Sequence, residues 1–221
     1  MSTHTLLPQC VCGAALGTDG VLHGIPVIGC AACGIVRQHV ALTDAEVAQW
    51  YRTRYHAGGY THTYDHDRRV AVLRADAYAF PAGGVVLDVG CGNGAFVDEL
   101  RARGVQAWGQ DLAEQSAGPC VDVGALWDLA YPTDAFDAVT MHDVLEHVPD
   151  PRAFLREVAR IVKPGGTCIV DFPHFWAAEG EHHWKAIEHL WMFTAEELRH
   201  ELEVAGFKVR TTTSPIPSKL V

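Results

Sequence analysis

The stretch VVLDVGCGNGAF, residues 85–96, constrains this chain more than any other. Val85, Val86, Leu87 and Val89 form a short β-branched, apolar run that reads as a buried strand. Gly90, Gly92 and Gly94 follow at once, and Phe96, Val97 and Leu100 then recur at helical spacing. Strand, glycine loop and helix make the first half of a nucleotide-binding crossover, a unit that demands a parallel sheet. The downstream sequence supplies one. VQAWGQD, CVDVG, FDAVTMHDV and GGTCIVDFP read as strands, PRAFLREVARIV and TAEELRHELEVAGF as helices, and FKVRTTT as a closing strand. The predicted fold is α/β, a Rossmann-like and mostly parallel sheet with helices on both faces.

The loop by itself fits two ligands. Gly90, Gly92 and Ala95 satisfy the dinucleotide fingerprint G-x-G-x-x-G/A, and Asp111 follows where that fingerprint places a ribose acid. Three features favour S-adenosylmethionine over NAD. Asp88 stands just before the first glycine, where its carboxylate repels a pyrophosphate and attracts an ammonium or sulfonium. Gly94 extends the pattern to D-x-G-x-G-x-G, which lets backbone lie close to a methionine group. Asp111 ends the next strand, 23 positions after Asp88, and can accept both ribose hydroxyls.

From about Val85 to Arg210 the chain resembles the class I S-adenosylmethionine-dependent methyltransferases. LDVGCGNG is similar to their first motif, FDAVTMHDVLEHVPDPRAFLREVARIVKPGG to the stretch from their fourth strand toward their fifth, and IEHLWMFTAEELRHELEVAGF to the segment before their sixth. The resemblance implies that Asp88, Gly90, Gly92 and Gly94 contact the methionine end and Asp111 the ribose, with Ala125, Leu126 and Met141 around the adenine and sulfur. Cys91 and Leu112 join this cofactor-contacting set. Many relatives carry an acid at the position of Ala125; here the adenine amino group is left to backbone or to Asp128. Tyr51, Tyr55, Tyr60 and Tyr64 precede the domain, and Tyr60 and Tyr64 are expected to cap the cofactor, where an aromatic face favours a sulfonium.

The first 42 residues are different in kind. PQCVCG holds Cys10 and Cys12, GCAACG holds Cys30 and Cys33, and each pair is followed by glycine. Thiolates on such turns converge on tetrahedral zinc, although CVC is one residue shorter than C-x-x-C, and His4, His23 or His39 could replace a ligand. The pattern resembles the zinc ribbon fused to some class I methyltransferases of natural-product and sugar pathways. A filled four-thiolate site leaves no open position, so the zinc is expected to be structural. Cys91, Cys120 and Cys168 lie in or beside strands and read as packing residues. Three domains are expected: a ribbon over 1–42, a helical linker or lid over 43–82 that opens on the capping box Thr43–Glu46, and the cofactor domain over 83–221.

Thirteen histidines offer bases for a hydroxyl acceptor. His142 is the first choice, because it ends the fourth strand where relatives carry an apolar or aromatic residue. His174 follows the fifth strand, His182 and His183 lie in the loop EGEHHW, and His189 stands where relatives often hold a histidine. Asp143, Glu146 and His147 are similar to the E-x-x-E-H pattern of the ubiquinone-pathway O-methyltransferases, a resemblance that implies a divalent cation such as magnesium.

The formal charge is −10, which repels phosphate backbones and makes nucleic acid a poor partner. The opening MSTHTLLPQC lacks a secretion signal, no apolar run is long enough to span a bilayer, and the expected location is the cytoplasm. A short C-terminus can leave a sheet edge open, which points to a homodimer as the expected assembly. The reading is methyl transfer to a small-molecule acceptor, through oxygen rather than nitrogen or carbon. Its rivals are a zinc-ribbon RNA base methyltransferase and a non-catalytic cofactor-binding protein.

Overall fold

The structure is a computed structural model that describes residues 9–39, 45–46, 49–50, 53, 64–173, 175–176, 185 and 188–210. The chain divides into two compact units. One comprises Met1–Val47, Asp143–Ala159 and Asp171–Thr212, the other Ala48–His142, Arg160–Val170 and Thr213–Val221. Among the described residues no helix is long and apolar enough to cross a membrane.

The second unit is built on the α/β pattern. Helix α1 (Tyr64–Tyr78) leads into β4 (Val85–Val89), then α2 (Ala95–Ala102), β5 (Gln106–Asp111), β6 (Val121–Val123) and β7 (Phe136–His142). Strand β8 (Val162–Asp171) completes a five-stranded parallel sheet in the order β6-β5-β4-β7-β8. β4 pairs in parallel with both β5 and β7, so the order reverses at the strand that ends in the glycine loop. Such a reversal opens a crevice at the strands' carboxyl ends, where ligands of doubly wound sheets bind. The core explains why these segments fold as they do. Phe96, Val97 and Leu100 of α2 are buried together with Val86 and Ala107 of the sheet, and Ala71 and Ala75 bring α1 against them. Gly109 of β5 leaves no free room for a side chain, because a Cβ there would lie 2.5 Å from Cys91 Sγ and 3.2 Å from Val121 Cγ2.

The first unit holds a separate antiparallel sheet. β1 (Thr18–Leu22) and β2 (Ile25–Gly29) form a hairpin closed by His23 and Gly24, both at positive φ (49° and 78°), as a type I′ turn requires. β3 (Val36–Gln38) pairs with β2, and β9 (Trp191–Met192) adds to β3 antiparallel, with Val36 opposite Met192 and Arg37 opposite Trp191. No local pattern signals this last pairing. Helix α3 (Pro151–Ile161) follows the 3₁₀ turn Leu145–His147. Helix α4 (Ala195–Val204) starts on a capping box, in which Glu197 N–H donates to Thr194 Oγ1 and Thr194 N–H to Glu197 Oε2. Buried Glu201 of α4 receives a two-pronged bond from Arg152 of α3.

The expected closing strand FKVRTTT is not formed over its described part. Phe207–Arg210 keep the alternation of half-buried and exposed positions that a strand has, but they join no ladder. Residues 211–213, and Thr43 and Asp44 of the predicted capping box, lie outside the described residues.

Overpacking at the β4–β5 contact tests this architecture. Gly109→Ala should lower stability by about 1–3 kcal/mol, read as a shifted midpoint in urea denaturation, because Cys91 Sγ must move to admit the methyl group. An unchanged midpoint would contradict the contact.

Candidate active site and cysteine cluster

The site begins with backbone geometry. Gly90, Gly92 and Gly94 adopt φ of 70°, 56° and 77°, a region open to glycine and costly for other residues. These angles turn the chain sharply off β4, and Gly90 and Cys91 N–H both donate to Gln110 O of β5 (2.7 and 3.0 Å). Gly94 is the N-cap of α2, so the loop delivers its last residues to the positive end of that helix. A Cβ added to Gly92 would meet nothing within 4 Å, so the loop has open space beside it.

Asp111 holds the loop. Its Oδ2 accepts from Gly92 N–H and its Oδ1 from Ala113 N–H, both at 2.8 Å. Burial raises its pKa, while the amides of Ala113 and Gly92 pull the other way. Asp88 is buried, and its Oδ1 accepts from Thr140 Oγ1 of β7 at 2.6 Å. Burial raises its pKa; nearby His142, the Thr140 hydroxyl and Arg74 lower it. Sequence reading did not anticipate Thr140, although its place two residues before His142 puts both on one face of β7.

The other expected positions fall as follows. Cys91 packs its sulfur against Gly109, and burial, followed by the charges of Asp88 and Asp111, pushes its thiol far up. Leu112 is half-buried, while Leu126 and Met141 are fully buried in the core behind the loop. Ala125 O accepts from the amides of Asp128 and Leu129, and Asp128 itself is exposed. Tyr64 opens α1, is 45% exposed, and donates from its hydroxyl to Asp98 Oδ2 at 2.6 Å. Asn93 of the loop reaches the same helix through Asp67 (2.6 Å). The imidazole of His142 stacks on Tyr78 (5.7 Å between centroids, 9°) and meets Phe96 edge-on (5.4 Å, 83°). His4, Tyr51, Tyr55, Tyr60, His174, His182 and His183 lie outside the described residues.

His189 belongs to the first unit, where it is buried with its ring 4.7 Å from that of His147 and 5.3 Å from that of Phe175. His147 Nδ1 donates to Glu188 O at 2.6 Å, which turns its Nε2 toward Glu146 Oε1, 3.7 Å away. Glu146 is 0% exposed, and among the described residues neither carboxylate oxygen has a hydrogen-bond donor. Burial, and then the charge of Asp143, raises its pKa well above the ordinary range; burial, and then Lys185, lowers that of His147 to about 4. The donor group here is Glu146, His147 and His189, with Asp143 outside it. Magnesium finds no support, since it prefers oxygen ligands and this group carries two imidazoles.

The four cysteines of the first unit converge. Cys10 and Cys33 sulfurs lie 3.4 Å apart, those of Cys12 and Cys30 3.6 Å apart, and all four lie within 4.8 Å of one another. Tetrahedral zinc with Zn–S of about 2.3 Å needs sulfur separations of roughly 3.8 Å, so the set fits. The short half-site closes because Gly13, at φ 85°, lets its N–H return to Cys10 O (2.8 Å), as Gly34 does for Cys30 (2.9 Å). Burial raises the Cys30 thiol, but the amides of Cys33 and Ala32 outweigh it and bring the thiol down to about 7. Arg37 and Arg152 both interact electrostatically with Cys10 and so offset the thiolates' charge. His23 and His39 are not in the group; His39 faces Asp19 at 3.4 Å instead.

A glycine loop locked to a buried acid on the neighbouring strand, at the switch point of this strand order, suits a nucleoside-bearing cofactor, and the family match identifies the class as class I S-adenosylmethionine-dependent methyltransferases. Residues 60–212 match the family of methyltransferase domains, and the chain belongs to that family. It is 43% identical over 104 residues to the ubiquinone biosynthesis O-methyltransferase of Chromobacterium violaceum, a match covering 41% of this chain and 45% of that protein. The same-named protein of Xanthomonas oryzae is 43% identical over 98 residues, covering 38% and 41%. The chain thus spans less than half the length of these relatives. Among solved structures, a methyltransferase of Thermotoga maritima (TM-score 0.59, 24% identity, 72% of this chain and 82% of that one) shares the fold alone. The [4+2]-cyclase SpnF is also similar (TM-score 0.56, 25% identity, 73% and 71%), so this fold does not by itself fix the reaction.

Three outcomes are expected. Asp111→Ala should weaken S-adenosylhomocysteine binding by about 1–3 kcal/mol in calorimetry, as for loss of a charged acceptor; unchanged affinity would contradict the ribose assignment. Protein purified without added metal should carry about one zinc per chain, lost in Cys30→Ser; a folded, metal-free wild type would rule the centre out. In NMR spectra His147 should stay neutral, with its proton on Nδ1, from neutral pH down to about 4. Protonation near pH 6.5, the ordinary imidazole value, would contradict its burial.

Proposed function

We propose that this chain methylates a hydroxyl oxygen of a small molecule, with Zn²⁺ held by Cys10, Cys12, Cys30 and Cys33 in a structural role. The observation that carries the oxygen assignment is the 43% identity to ubiquinone biosynthesis O-methyltransferases over 104 and 98 residues. The acidic charge of −10 supports a small acceptor over RNA. The four-cysteine cluster supports a place in natural-product or sugar pathways, by its resemblance to the zinc ribbon of ribbon-bearing methyltransferases.

S-adenosylmethionine, when bound, supplies an electrophilic methyl group for in-line displacement. Asp111 would hold the ribose, the amides around Gly90–Gly94 would line the methionine end, and Asp88 would favour its positive charge. An attacking hydroxyl loses a proton, and His142 is the assigned acceptor. Tyr78 and Phe96 fix the plane of its ring, and Asp88 interacts with it electrostatically. This packing supports the reading, because a general base must be held in one orientation.

An assay with radiolabelled S-adenosylmethionine against a panel of phenols and sugar hydroxyls tests the proposal. His142→Ala should cut turnover by at least about 10²-fold while S-adenosylhomocysteine affinity holds. Near-normal turnover would pass the role to His174, His182 or His183. Labelling of amines alone would refute the oxygen assignment.

A further inference from the structure

Gln38 ends β3, the last strand of the cysteine-bearing sheet before the chain leaves it, and is 1% exposed. Its side-chain amide donates to two carbonyls far along the chain, Lys185 O at 2.6 Å and His189 O at 2.7 Å. Its backbone N–H donates to a third, Leu190 O, at 2.9 Å. A buried amide whose donors are all taken up is costly to replace, because each orphaned carbonyl loses both partner and water. Beside it the guanidinium of Arg37 lies over the Trp191 ring, 5.8 Å from its centre.

The segment gripped in this way grips another. Leu190 N–H donates to Glu146 O (2.7 Å), Trp191 Nε1 donates to Val148 O (2.8 Å), and Glu188 O receives His147 Nδ1. The turn that carries Glu146 and His147 is therefore tied at three points to the segment that carries His189. At the other end of β3, Cys30 N–H donates to Ile35 O (3.0 Å), one residue before the strand starts. Hydrogen bonds at both ends of β3 and the three-residue strand between them connect the cysteine knuckle, through Gln38, to the His147–His189 pair. All of these residues belong to one compact unit.

We propose that Gln38 is a positioning residue that carries the order imposed by the four-cysteine metal centre into the His147–His189 pair and the turn bearing Glu146. The proposal rests on the zinc reading above and goes beyond it: the metal fixes the segments that follow β7 and β8 as well as the two knuckles that bind it. Removal of zinc then loosens residues 145–148 and 188–191 while β4 and β5 stay ordered.

Hydrogen–deuterium exchange on the full chain tests this, with zinc content measured on every sample. In zinc-replete Gln38→Leu, amides of His147, Val148 and Leu190 should exchange at least about tenfold faster, with those of Gly34 and Ile35 unchanged. The affinity for S-adenosylhomocysteine should hold, and the Nδ1 tautomer of His147, read by NMR and fixed by its bond to Glu188 O, should be lost. Wild-type exchange at these amides in zinc-replete Gln38→Leu would overturn the proposal. Should that variant not fold, the wild type stripped of zinc by a chelator decides. Faster exchange confined to 145–148, 188–191 and the hairpin supports transmission, and either unchanged or uniformly faster exchange overturns it. A wild type that contains no metal defeats the zinc reading, and the proposal with it; a zinc-replete wild type with an indifferent Gln38→Leu defeats the proposal alone.

Discussion

The carboxylate of Asp111 is the interaction on which the cofactor site depends. One oxygen fixes Gly92 in the loop after β4, and the other fixes Ala113 in the turn after β5. Two neighbouring strands therefore end in a single rigid surface. The cost of burying the charge, visible as a raised pKa, is offset by the backbone amides that point at it. Asp88 extends this logic to the interior, where Thr140 satisfies it and ties β4 to β7. The three strands around the topological switch are joined by side chains as well as by their ladders.

The other unit is held by connections across the chain. β3 and β9 are more than 150 residues apart in sequence, since Arg37 pairs with Trp191. Such a short two-residue strand contributes little by itself, and it persists because Gln38, Arg37 and the fully buried Trp191 reinforce it. The cysteine cluster stands at the other end of that sheet. Its thiols are raised or lowered by unequal burial and unequal supply of amides, with Cys33 pushed up to about 11 and Cys30 drawn down to about 7. A metal removes that inequality by taking all four as thiolates.

Much of this was legible in the sequence, for physical reasons. Period-two and period-3.6 patterns mark elements that bury one face, so β4, α2, β5, β7 and α3 emerged within a residue or two. Glycines that require positive φ mark the loop, and cysteine pairs closed by glycine mark the knuckles. Groups paired across long stretches of chain were not legible. Gln38 looks like an ordinary polar residue at a strand end, and Thr140 like one more β-branched residue. His189 drew notice as a base, yet it lies packed against His147 in a group that local spacing cannot reveal. Glu146 and His147 were noticed as a pair with Asp143, and the third donor proved to be His189, 42 positions beyond His147 in the chain. The strand expected at FKVRTTT shows the reverse error: its alternation is real over Phe207–Arg210, but alternation does not provide a partner.

The central claim is that the loop held by Asp111 recognises the nucleoside and methionine of S-adenosylmethionine rather than a dinucleotide. Calorimetric titration of the intact chain with S-adenosylhomocysteine and, separately, with NADH tests it most directly. The account predicts one S-adenosylhomocysteine bound per chain and no heat from NADH. Binding of NADH in the absence of any S-adenosylhomocysteine binding would contradict it.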